Sequence, residues 1–142
     1  MNILEILTKR RIVGNKGEDA VCKYLRKQKY KIIARNYVDR GHEIDIIAEN
    51  AEFICFVEVK TRTIGREDPR EPRPASSVTP EKQRAIIAAA RGFAASEKRD
   101  KQFRFDVAEV FITSNEVLDR INYLEGAFTL DTSKKHYYER KG

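Results

Sequence analysis

HEIDIIAENAEFICFVEVKTR, residues 42–62, reads as a β-hairpin that carries chemistry. Glu43 to Glu49 alternates polar and apolar side chains, Asn50 offers a turn, and Phe53 to Val57 is apolar on both faces until Glu58-Val59-Lys60 ends the run. A strand apolar on both sides is covered above and below, which makes this one central. Successive side chains in a strand point to opposite faces, so Glu58 and Lys60 leave from one face and Val57 and Val59 from the other. A carboxylate and an ammonium emerge together.

The length of the turn decides where Asp45 lies. With two residues in it, Asn50-Ala51 or Ala51-Glu52, Asp45 stands diagonal to Glu58 or directly opposite, on the same face in both cases. A three-residue turn would put the two on opposite faces. We take the two-residue turn. Two carboxylates about 5 Å apart across strands repel by about 3 kcal/mol at an effective dielectric of about 20, so an ionised pair at the end of a buried strand calls for positive charge. Lys60 supplies one charge, and a bound divalent cation would supply two. The same residues also suit a solvated strand end with a Glu–Lys pair. The crowding of carboxylates favours a functional site, where perturbed ionisable groups concentrate.

Composition bounds what such a site serves. A chain of 142 residues suits one domain, and 35% charged residues imply a heavily charged surface. Lys and Arg outnumber Asp and Glu by 28 to 22, a formal charge of +6, which favours polyanions as partners because neutralised phosphates release counterions. Cys22 and Cys55 lie among apolar residues without CxxC spacing, as buried thiols of a reducing compartment do. With only His42 and His136 beside them, a Cys/His zinc site is excluded and any metal is oxygen-ligated. The apolar patch at Ile3-Leu4 and Ile6-Leu7 is too short to span a bilayer, and Lys9-Arg10-Arg11 follows it where a signal peptide has its charges first. These features point to the cytoplasm and to no membrane partner.

Outward from the hairpin, residues 15–29 carry a helical pattern with Asn15 as its N-cap. Glu18 falls on or beside the apolar face; it either completes a capping box with Asn15 or points into a site. Lys31 to Val38 is a first strand that completes an antiparallel meander, with Arg35 and Asn36 near its end either to contact phosphate or to solvate the edge. Residues 63–77 hold Gly65, three prolines and charges of both signs, the composition of a mobile loop. It could close over a nucleic acid with Arg62, Arg66, Arg70 and Arg73. Thr79-Pro80-Glu81 starts a helix running to about Ala95, with Lys82, Gln83 and Arg84 in its first turn. Phe103 to Thr113 is a fourth strand, parallel to the third, in which Asp106 serves an ion pair or frames the sheet. Val117 to Leu124 carries a fainter fifth strand. Residues 133–142 form a basic tail with aromatics, which suits nucleic acid or a frayed terminus.

Gly14-Asn15-Lys16-Gly17-Glu18, Ala20, Tyr24-Leu25, Arg35-Asn36-Tyr37, Glu43 to Ala48, Phe56 to Arg62, Val78-Thr79-Pro80, Lys82-Gln83 and Arg104 to Val107 together resemble the YraN family of endonuclease-like proteins. That family sits within the PD-(D/E)XK nuclease superfamily and is similar to archaeal Holliday junction resolvases. His42 and Lys29 stand where the family usually has Gly. The resemblance implies a single α/β domain over residues 1–142, with a restriction-endonuclease-like αβββαβ core and a mixed central sheet flanked by helices. It further implies a metal-dependent DNA endonuclease acting on structured or branched DNA and leaving a 5′-phosphate and a 3′-hydroxyl. Asp45, Glu58 and the Val59 carbonyl would bind Mg²⁺ or Mn²⁺, Lys60 would orient and help deprotonate the attacking water, and Glu18 would hold a second metal or its water shell. Arg35, Asn36, Arg62, Arg66, Lys82 and Gln83 are the expected nucleic-acid contacts. The alternatives are a non-cleaving nucleic-acid-binding accessory module and a homodimeric junction resolvase. No sequence-reading module is visible, so DNA would be selected by shape through phosphate contacts.

Overall fold

Asn50 makes the turn. Its Oδ1 accepts the N–H groups of Glu52 at 2.9 Å and Phe53 at 2.7 Å, and its own N–H donates to the Phe53 carbonyl at 3.1 Å. This Asx turn leaves Ala51 and Glu52 as its two residues. The computed structural model describes residues 2–65 and 78–130 and, in the first helix, the side chains of residues 2–5 and 15–27. The elements run α1 (Ile3–Lys27), β1 (Lys31–Asp39), β2 (His42–Glu49), β3 (Phe53–Thr63), α2 (Pro80–Glu97), β4 (Gln102–Ile112) and β5 (Leu118–Phe128).

The sheet order follows the chain, β1-β2-β3-β4-β5. β1, β2 and β3 form the expected antiparallel meander, β4 returns parallel to β3 after α2, and β5 lies antiparallel to β4. This is the αβββαβ order with one strand added at the edge. Alternation along the central strands builds two layers of core. Ile46, Ala48, Cys55, Val57 and Ala108 pack with Val21, Cys22 and Leu25 of α1. Their neighbours Ile47, Ile54, Phe56 and Val107 pack with Ile86, Ala89, Ala90 and Phe93 of α2. Phe56 meets the rings of Phe93, Phe103 and Phe105 at 6.2, 5.1 and 5.5 Å, a contact set whose loss to Ala costs about 3–5 kcal/mol.

Four expectations need correction. α1 begins at Ile3, not near residue 15: Asn2 caps it, accepting from the Glu5 N–H at 2.8 Å while Glu5 reaches back to the Asn2 N–H at 3.3 Å. Asn15 is therefore interior, and Glu18 belongs to no capping box. The helix passes through Gly17 because a Cβ there would run into Thr61 Oγ1 of β3; the glycine permits close docking rather than ending the helix. β3 keeps Thr63, which pairs with Ile112, so the loop starts later than residue 63. β5 runs four residues past Leu124, because Asp106 anchors it: Gly126 N–H donates to Asp106 Oδ1 at 2.9 Å and Tyr123 Oη to Oδ2 at 2.6 Å. Residues 66–77 and the tail at 133–142 lie outside the described residues. Among the described residues no helix is long and apolar enough to cross a membrane.

Candidate functional site

The last rung between β2 and β3 is Ile46 with Val57. The next pair in register is Asp45 and Glu58, which the turn arithmetic places face to face. Instead of extending the ladder, Asp45 turns its side chain on the neighbouring strand, where Oδ2 accepts the Val59 N–H at 2.7 Å. Glu58 is 12% exposed; its Oε1 lies 3.6 Å from Lys82 Nζ at the start of α2, and its Oε2 is buried with no hydrogen-bond partner. Burial pushes the Glu58 carboxyl up to about 7, and Asp45 adds to this against Lys82 and Lys60. Burial likewise raises Asp45, opposed first by the Val59 N–H. The pair is short of positive charge.

Glu18 comes from α1. It is 9% exposed, and its carboxyl is raised by burial and then by Asp45. Asn36 of β1 approaches from the other side. Only with its amide nitrogen toward the carboxylates does Asn36 set donors against acceptors; it then donates to Glu18 Oε1 at 3.0 Å and Glu43 Oε1 at 2.9 Å. Its φ of +51° is left-handed, a region Asn tolerates. Next to it Arg35 donates to Asp19 Oδ1 at 2.7 Å. Arg35-Asn36 thus docks on Glu18-Asp19. Glu43 escaped the sequence reading as a site residue, although its spacing of two from Asp45 puts both on one strand face and would have found it.

The remaining expected contacts fall in several places. Lys60 is half-buried two residues beyond Glu58 and makes no ion pair among the described residues. Lys82, expected at phosphate, is the ammonium paired with Glu58. Arg62 is 12% exposed and donates through Nε to Glu109 Oε2 at 2.9 Å, which leaves it little surface to offer a phosphate. Gln83 is buried and donates to the Val78 carbonyl at 2.8 Å, holding the entry to α2. Arg66, Arg70 and Arg73 lie outside the described residues. Asp106 is the expected ion-pair residue, fully buried and gripped by Arg104 through Nε and Nη2 at 2.9 Å.

Among the described residues no three carboxylate, imidazole or thiol groups are drawn together closely enough to hold an ion by themselves. The donors at hand are Asp45 and Glu58, both carboxylates, with one buried oxygen unsatisfied. That set fits a hard divalent cation, whose remaining ligands are usually water and substrate oxygens.

The model of a family described as "Uncharacterised protein family UPF0102" matches residues 17–110, which include Glu18, Asp45, Glu58 and Lys60. A UPF0102 protein of Geobacter metallireducens is 42% identical over 83% of this chain and 93% of its own length. One of Chlorobium limicola is 38% identical over 92% of this chain and 95% of its own. One of Caldicellulosiruptor saccharolyticus is 39% identical over 84% and 98%.

Proposed function

The chain belongs to the UPF0102 family, and we propose that it is a metal-dependent DNA endonuclease that hydrolyses phosphodiester bonds in branched or otherwise structured DNA. The observation that carries this reading is the unpartnered, buried Oε2 of Glu58, set opposite Asp45 where two strands part. Leaving such an oxygen unsatisfied costs about 1–3 kcal/mol, so the arrangement is that of a site built for a ligand.

Asp45 and Glu58, with the Val59 carbonyl, would hold the cation. A bound Mg²⁺ or Mn²⁺ supplies charge for the phosphoryl oxygens and lowers the pKa of a water. Lys60, on the Glu58 side of β3, would orient the attacking water by donating an N–H to one of its lone pairs, and would help its deprotonation. Glu18, whose carboxyl is raised by burial and by the nearby Asp45, would take a second cation or its water shell. Lys82, 3.6 Å from Glu58 Oε1, offsets that carboxylate and would be placed to reach a backbone phosphate.

Two variants test the assignment. Lys60→Ala removes a positive charge, so Mn²⁺ should bind at least as tightly, while cleavage of branched or flapped DNA falls by roughly 10²-fold or more. Asp45→Asn should lose Mn²⁺ binding and cleavage together. Calorimetry and a gel assay read both. Unimpaired cutting by Lys60→Ala, or normal Mn²⁺ binding by Asp45→Asn, would reject the site.

The Lys82–Glu58 contact favours a second reading, a nucleic-acid-binding module that does not cut, in which the lysine permanently replaces a cation. That module would show neither Mn²⁺ heat nor a Mn²⁺-dependent rise in melting temperature.

A further inference from the structure

We infer that Asn36 is a positioning residue that acts through Glu18: its side-chain amide clasps the Glu18 carboxylate beside Asp45 so that it can serve the cation site. The inference rests on the metal-dependent reading above. Three observations carry it. The amide nitrogen of Asn36 lies 3.0 Å from Glu18 Oε1 and 2.9 Å from Glu43 Oε1, so one donor group ties α1 to β2. Bonds from an amide to carboxylates are charge-assisted and directional, which fixes a side chain more firmly than neutral pairs do. The backbone at Asn36 is left-handed, at φ +51°, between Arg35 opposite Ile46 and Tyr37 opposite Ile44. An extended residue in that place would keep the strict alternation of β1, whereas here Arg35 and Asn36 both turn to the adjacent acids Glu18 and Asp19. Glu18 itself is 9% exposed and cannot be held by solvent. Without the amide, Glu18 and Glu43 lose this shared donor and are repelled by Asp45, whose own direction is set by the Val59 N–H.

Asn36→Gly separates the amide from the backbone, because Gly adopts the left-handed conformation freely. We expect this variant to fold with a lower melting temperature, because a buried carboxylate loses its donor, and to bind Mn²⁺ about 10- to 100-fold more weakly, the usual scale for losing a group that orients a ligand. In a Glu18→Gln background, where no carboxylate remains to be positioned, Asn36→Gly should produce little further loss. Calorimetric titration of the parent, both single variants and the double variant reads this cycle. If Asn36→Gly binds Mn²⁺ as the parent does, or weakens it equally in both backgrounds, Asn36 does not act through Glu18 and the inference fails while the metal reading stands. If the parent takes no Mn²⁺, the metal reading fails and the inference with it.

Discussion

Burial holds the Glu58 carboxyl at about 7, against 4.5 in water, with Asp45 adding to the shift. The folded protein therefore keeps this proton more tightly than the unfolded chain does. Stability conferred by the protonated form is full below about 4.5 and is lost as pH climbs through about 7. The shifts at Asp45 and Glu18 have the same direction and reinforce it. The metal-free protein should consequently lose on the order of 2 kcal/mol between about pH 5 and about pH 8 through these groups, and Glu58→Gln should flatten most of that slope. Mn²⁺ should bind more tightly as pH rises to about 7, because it must displace the proton. Melting curves across pH, with and without Mn²⁺, check both statements. A Glu58→Gln protein with the parent's pH slope would show that the carboxyl is not held protonated by the fold.

At the scale of elements, α1 docks on the sheet through a glycine. Gly17→Ala should gain up to about 1 kcal/mol of helix propensity but push a methyl into Thr61 Oγ1, a strain of about 1–3 kcal/mol. The net effect should be a lower urea midpoint, recovered in large part by adding Thr61→Ala. If Gly17→Ala alone raises the midpoint, the close approach is not what selects glycine there. The β4–β5 contact has its own lock: Asp106→Ala would strand the Arg104 guanidinium, itself 12% exposed, and the Tyr123 hydroxyl. A loss of about 3–5 kcal/mol is expected. These two contacts also show what the sequence could and could not disclose. The hairpin was legible because Asn50 fixes the turn locally, and turn length plus alternation then place Asp45 opposite Glu58 by arithmetic. The start of α1 was misread because Asn15 stands where an N-cap would, whereas the cap that forms is Asn2, and the contact that requires Gly17 comes from Thr61, far along the chain. The sequence offers Asn36 either as a phosphate contact or as a residue that solvates the strand edge, and Lys82 as a phosphate contact. Their partners within the fold, Glu18, Glu43 and Glu58, depend on a left-handed residue and on where α2 begins against β3, neither of which periodicity encodes.

Across the whole molecule two charge distributions oppose each other. The chain carries a formal +6, which on the proposed reading would draw DNA to its surface, while Glu18, Glu43, Asp45 and Glu58 lie near the point where β2 and β3 part. A phosphate approaching that point is repelled until a cation is bound. Above the Glu58 titration, at about pH 8, removing two of these charges with Asp45→Asn and Glu58→Gln together should therefore strengthen DNA binding in the absence of divalent metal, by about 3- to 5-fold at low salt for charges about 8 Å from phosphate. The parent should gain affinity when Mn²⁺ is added at matched ionic strength, and the double variant should not. Both proteins should weaken steeply as salt rises, since phosphate contacts dominate, and neither should prefer one base sequence. Fluorescence anisotropy with a branched DNA in chelator and in Mn²⁺ separates the cases. Equal affinity of parent and variant under both conditions would mean that DNA is held on basic surface away from the carboxylates, and the scissile phosphate would then have no path to Asp45 and Glu58.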